Sequence, residues 1–251
     1  FYNHCSSVDK LESVHLIFVG DSHVEFLSRV KTQKEQKFYK NTSAVWLGPI
    51  TLLGYTHRIN LDDEIKRIAY LLEPTITYAL KKNRHIKLIF CIGSIDIRFS
   101  IYELIMRKVM LNASEVLNLL EKSMEKMILV HIPQICEQFP KANIDLGVAS
   151  CTNILDDGVL PTSLKEVKKI RQSEPFPTFG TQLQRDKWMD GLNMRIKRLC
   201  NIHNVHFFEF AMSDSRKDRY QLSIDGIHLT EPFQLNEDIS KYIQKYETKN
   251  V

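Results

Sequence analysis

The stretch "HLIFVGDSHVEFLS", residues 15–28, decides how the rest of the chain is read. Its first half is a short, continuous apolar run with branched side chains, the pattern of a strand buried on both faces. The run stops at Gly20-Asp21-Ser22-His23, and helix-like spacing follows over residues 24–31. A strand that turns directly into a helix leaves a polar residue at the turn, beside backbone N–H groups that the helix itself cannot use. A serine there has two readings. It is an N-cap, a place where Ser and Asp are favoured, or it is a nucleophile with an oxyanion donor beside it. The tripeptide alone does not choose between them.

The same alternation continues along the chain. Strands are expected at residues 43–48 ("SAVWLG"), 86–93 ("IKLIFCIG"), 143–150 ("NIDLGVAS") and 205–210 ("VHFFEF"). A helix is expected over 61–73, where Asp62, Asp63 and Glu64 suit an N-terminal turn, with Pro74 interrupting or restarting it. Further helices are expected over 114–139, with a break near Pro133, over 180–204 and over 230–246. Strand followed by helix, repeated five times, predicts an α/β domain with a parallel sheet and helices on both faces. The 251 residues, 43% of them hydrophobic, suffice for one large core, and 1–251 is read as a single domain that a longer chain could contain. The longest irregular stretch, 151–179, holds Pro161, Pro175 and Pro177; a loop of that length is expected to be functional or a lid.

In such sheets ligands bind beyond the carboxyl ends of the strands. Those ends carry Gly20-Asp21-Ser22-His23, then Gly48-Pro49, then Gly93-Ser94-Ile95-Asp96-Ile97-Arg98; "DGIHL", before the last expected helix, adds Asp225 and His228. A serine hydroxyl is a poor nucleophile until a base takes its proton. Histidine suits that task at neutral pH, and a carboxylate holds the imidazole tautomer and steadies its charged form. Ser22, His228 and Asp225 therefore form a candidate nucleophile, base and orienter, brought to one edge of the predicted sheet.

These blocks resemble the SGNH (GDSL-like) hydrolases. The family is marked by a Gly-Asp-Ser block, a glycine after the second strand, a Gly-x-Asn-Asp block after the third and an Asp-x-x-His block near the C-terminus; here they read "VGDSH", "WLGPITL", "IGSID" and "DGIH". The chain is also similar to a subgroup with a Gly-Glu-Ile-Asp-x-Arg block, associated with surface polysaccharide. The resemblance implies a flavodoxin-like three-layer α/β/α sandwich around a five-stranded parallel sheet. It also implies hydrolysis or transfer of acyl groups, often acetyl on sugars. Ser22 matches the nucleophile, His228 the base and Asp225 its orienter, with Ser22 and Gly48 as oxyanion donors. The family's third donor, an asparagine, falls at Ile95, which cannot donate a hydrogen bond. Either two backbone donors suffice, or Arg98 or Ser94 takes the role, or activity is lost. Three functions stay open: a serine esterase or deacetylase acting on O-acyl groups of carbohydrate, a polysaccharide O-acetyltransferase using the same triad and an acyl donor, and an inactive glycan-binding module.

Candidate substrate contacts are Asp21, Trp46, His57, Asp96 and Arg98. Trp46 stacks on a sugar or belongs to the core; His57, with Arg58, follows the same loop. Cys200, His203 and His206 lack the paired spacing of a zinc site, and no Gly-rich phosphate loop occurs, so neither metal nor cofactor is expected. A net charge of +4, from 34 basic and 30 acidic residues, is too mild to imply nucleic acid. No apolar run of about 18 residues predicts a membrane span. The five cysteines are odd in number and widely spaced, which does not make a disulfide framework and fits a reducing, cytoplasmic compartment.

Overall fold

A computed structural model describes residues 14–21, 24, 29–31, 36–38, 42–56, 61–151, 158–174 and 176–209. In chain order these form β1 (Val14–Gly20), β2 (Arg29–Lys31), β3 (Gln36–Phe38), β4 (Thr42–Trp46), α1 (Leu52–Thr56), α2 (Leu61–Lys81) and β5 (His85–Cys91). There follow α3 (Ile101–Met106), α4 (Ala113–Lys126), α5 (Ile132–Glu137), β6 (Ile144–Ala149), α6 (Leu164–Ser173), α7 (Gln182–Ile202) and β7 (His206–Phe208). All seven residues of β1 are buried, as its unbroken apolar run requires of a central strand. It pairs in parallel with β4 on one side and β5 on the other; β6 and β7 extend the sheet beyond β5, also in parallel. The order β4-β1-β5-β6-β7 is the flavodoxin-like arrangement, with its switch point between β1 and β5.

Alternation along the strands divides the core. Ile17, Val19, Leu88, Phe90 and Val148 meet Ile68, Leu72 and Ile76 of α2, Leu120 and Met124 of α4, and Leu192 and Ile196 of α7. Leu16, Phe18, Ile89, Ala149 and Phe208 face the opposite side together with Val24. Each fully buried aliphatic or Phe side chain contributes roughly 1.5–3 kcal/mol. The helix expected at 230–246 lies outside the described residues. Among the described residues no helix is long and apolar enough to cross a membrane, and Cys91, Cys136, Cys151 and Cys200 are free thiols.

The helices depart from expectation at three places. Val24 is helical, but 29–31 are not: β2 pairs antiparallel with β3, Val30 opposite Lys37. Helical spacing within one segment says nothing of a partner strand a few residues on. Pro74 does not interrupt α2, which runs through it. Pro74 lies on the exposed face, and the carbonyl four residues back, which loses its helical donor, belongs to Tyr70, itself 74% exposed, so the lost bond falls on the solvent side of the helix. Near Pro133 the helix widens instead of breaking. A π turn at Met127–His131 joins α4 to α5, and Pro133 falls in the first turn of α5, where no N–H is needed.

The stretch expected to be irregular contains α6, whose Val167 packs with Phe99 and Phe179 in a small separate core. A bridge joins Val159 to Phe179, and the Phe179 N–H donates to the Arg98 carbonyl at 2.8 Å. The segment is thereby fastened to the π-helical turn, Asp96–Ser100, that follows β5.

Candidate active site

The ends of β1, β4 and β5 meet at the switch point, and glycine permits the close contacts at Gly20 and Gly93. Gly20 closes β1 opposite Cys91; a Cβ there would lie 2.0 Å from the Cys91 carbonyl oxygen. The next residue, Asp21, donates its N–H to that oxygen at 3.3 Å, and its own carbonyl accepts from Val24 N–H at 3.2 Å. The Asp21 carboxylate is almost fully buried. After β5, Gly93 takes φ +124° with the Cys151 thiol against it. Ile95, at the position the family resemblance gave to a third oxyanion donor, is buried. Cys151, after β6, is held by Asn193 of α7, whose Oδ1 accepts from Cys151 N–H at 2.7 Å while Nδ2 donates to Cys151 O at 3.0 Å.

The loop after β4 is tied from three directions. Leu47 N–H donates to Gly20 O at 2.8 Å, which draws it against the end of β1. Arg67 Nη2 of α2 donates to Leu47 O at 3.3 Å. Leu52 N–H, at the start of α1, donates to Asp96 Oδ2 at 2.6 Å. Between these ties Gly48 takes φ +90°, with nothing within 4 Å of where its Cβ would be. The loop therefore bends towards open space at the glycine. Trp46, beside it, is 54% exposed and outside the core.

Asp96 was expected among the substrate contacts. Its side chain is fully buried and its Oδ2 serves the α1 backbone as an acidic cap. Burial pushes its carboxyl up to about 7, and the nearby Asp21 charge adds to this; the Leu52 N–H, the Ser100 hydroxyl and the Leu53 N–H pull the other way. Asp96→Asn keeps an oxygen for the Leu52 N–H and removes the charge. An unfolded aspartate titrates at about 3.9, so the wild type takes up a proton on folding between there and about 7. Its stability falls as pH rises across that window and is level above it, by at most about 1.4 kcal/mol per pH unit. The Tm of the variant relative to wild type is expected to climb through the same window and then flatten. A difference that stays constant with pH would refute the raised carboxyl.

Arg98 is half-buried at the same edge. Burial lowers its guanidinium from the ordinary arginine value, while the Asp21 and Glu174 carboxylates favour its charged form. Its Nε is buried and donates to none of the described residues. Ser22, His23, His57, Arg58, Asp225 and His228 lie outside the described residues. Cys200 is buried, His203 Nε2 lies 3.5 Å from Glu125 Oε1, and His206 packs its ring on Phe208. Among the described residues no group of three or more His, Cys, Asp or Glu could hold a metal.

Sequence reading did not single out Arg67 or Asn193, and read Glu64 only as an acidic residue at a helix start. The three-residue spacing of Glu64 and Arg67 on an expected helix was visible; the carbonyl that Arg67 reaches was not.

No family profile matches the sequence, and no curated protein matches it. Among solved structures the chain is similar to a psychrotrophic esterase from Pseudoalteromonas sp., at 11% identity over 95% of this chain and 100% of that one, with a TM-score of 0.41. An acetyl xylan esterase is similar at 12% identity over 91% and 98% of the two chains, with a TM-score of 0.40. A GDSL-like lipase from Bacteroides thetaiotaomicron is similar at 12% identity, covering 99% of this chain and 97% of that one, with a TM-score of 0.43.

Proposed function

We propose that the protein is a serine ester hydrolase that removes O-acyl groups, chiefly acetyl, from carbohydrate. The observation that supports this most is the convergence of Gly20-Asp21, Gly48 and residues 93–98 at the β1/β5 switch point, directly before Ser22 in the chain. In this mechanism His228, oriented by Asp225, takes the Ser22 proton as the hydroxyl oxygen attacks the ester carbonyl. The negative charge that develops on the carbonyl oxygen is met by the Ser22 and Gly48 N–H groups, with the Arg98 guanidinium as the charged donor in place of the missing asparagine. Collapse breaks the bond to the sugar oxygen, which takes the proton from His228 and leaves as a hydroxyl, and an acyl-enzyme remains. Water, activated by the same histidine, releases the acid. The exposed Trp46 ring beside Gly48 offers an apolar face to the sugar, and His57 follows on the same loop.

The test is incubation with p-nitrophenyl acetate and with an O-acetylated glycan, with and without an unacetylated glycan acceptor. Free acetate from both substrates, and a fluorophosphonate adduct on Ser22 by intact mass, are the expected results. Acetyl passing to the acceptor instead of water would identify a transferase with the same triad. Glycan binding with no turnover and no adduct would identify a binding module and overturn the proposal.

A further inference from the structure

We infer that Arg67, held by Glu64, is a positioning residue that aims the Gly48 N–H at the reacting oxygen; this rests on the proposed role of Gly48 as an oxyanion donor. Glu64 and Arg67 are one turn apart on α2. Arg67 Nε donates to Glu64 Oε2 at 3.0 Å and Nη2 to Oε1 at 2.6 Å, a two-pronged pair. The Glu64 side chain is 6% exposed while that of Arg67 is 40% exposed, so the carboxylate is the fixed anchor and the guanidinium turns on it. The second hydrogen of Nη2 reaches Leu47 O at 3.3 Å.

That carbonyl belongs to the peptide unit whose N–H is that of Gly48. The unit is planar and trans, so its C=O and N–H point in opposite directions. Holding the oxygen toward α2 turns the N–H away from α2. Leu47 N–H is already committed to Gly20 O, which fixes the preceding peptide. Gly48 sits at φ +90° with open space before its α-carbon and has no side chain to restrain its own peptide. Arg67 is the side chain that supplies the restraint. Two nitrogens of one planar fork serve both Glu64 oxygens and the carbonyl in a fixed geometry; the three hydrogens of an ammonium sit on one atom at the end of a flexible stem and do not reproduce that spacing.

A developing oxyanion rewards donors already in place, and losing one costs about 100- to 1000-fold. Loosening one costs less. Arg67→Met is expected to lower kcat for p-nitrophenyl acetate about ten- to a hundredfold, with KM within about twofold. The rate of fluorophosphonate labelling should fall in parallel, while one adduct per chain still forms on Ser22. A structural role would lower Tm and leave kcat unchanged at a temperature where all chains are folded. Arg198→Ala, which breaks an ion pair with Glu121 elsewhere on the surface, serves as the control with wild-type kcat. If Arg67→Met does not fold, Arg67→Lys carries the test: it keeps a cation beside Glu64, loses the fork, and should still lower kcat several-fold without raising KM. A folded Arg67→Met, or failing that Arg67→Lys, with kcat within about twofold of wild type overturns the inference. If Ser22→Ala retains full activity, or the wild type has none, the ester-hydrolase proposal itself falls and the inference falls with it. An inactive Ser22→Ala beside fully active Arg67 variants refutes the positioning role alone.

Discussion

Ser22→Ala is expected to reduce turnover of p-nitrophenyl acetate by about three to six orders of magnitude while leaving the fold intact. Without the hydroxyl there is no covalent step, and what remains is the acceleration that a positioned base and oxyanion donors give to direct attack by water. In enzymes of this chemistry removal of the nucleophile costs about as much as removal of the whole triad, because the members act as a unit. Folding is not at risk from the missing oxygen. The described neighbours of this serine, Asp21 and Val24, are held by backbone bonds, Asp21 N–H to Cys91 O and Val24 N–H to Asp21 O, and neither bond uses a side chain. Steady-state p-nitrophenolate release, compared with far-UV circular dichroism of the same sample, makes the check. A folded variant with turnover within tenfold of wild type would remove Ser22 from the mechanism.

Gly20→Ala is expected to be the most damaging single methyl group that can be added near the site. The new carbon would lie 2.0 Å from Cys91 O and 2.8 Å from Cys91 C. Both are backbone atoms of the neighbouring central strand, so no rotamer change relieves the contact. Moving β1 away from β5 would strain the Asp21 N–H to Cys91 O bond and the Leu47 N–H to Gly20 O bond together. Overpacking against side chains typically costs about 1–3 kcal/mol; against backbone the loss should exceed about 4 kcal/mol, enough to unfold many domains. Gly48→Ala is the informative contrast. Its Cβ meets nothing within 4 Å, but its φ of +90° disfavours a side chain, and the penalty should stay near 1–2 kcal/mol. Denaturant midpoints of the two variants measure the difference. Gly20→Ala as stable as Gly48→Ala would show that the strand ends are more loosely packed than these distances describe.

The sequence by itself determined the strands of the parallel sheet. Residues 14–20 and 86–93 are largely apolar runs long enough for a buried strand and too short for a helix, residues 143–150 place Ile144, Leu146 and Val148 at alternate positions, and the segments closed on turn residues that marked the sheet edge. The same local signals carried the acidic N-terminal turn of α2. These features depend on neighbours one to four residues away, which a linear pattern records. Tertiary structure alone decided the rest. The pairing of β2 with β3 needed a partner strand that spacing cannot reveal, and the passage of α2 through Pro74 needed to know which face meets water. The same holds for the ties at the site: Arg67 to Leu47, Leu52 to Asp96 and Cys151 to Asn193 join residues 20, 44 and 42 positions apart. Each joins a side chain to a backbone group, and every residue has the same backbone groups. A sequence can mark Asp96 as a carboxylate just beyond a strand, but only the packing of α1 against the helical turn after β5 makes that carboxylate a buried cap.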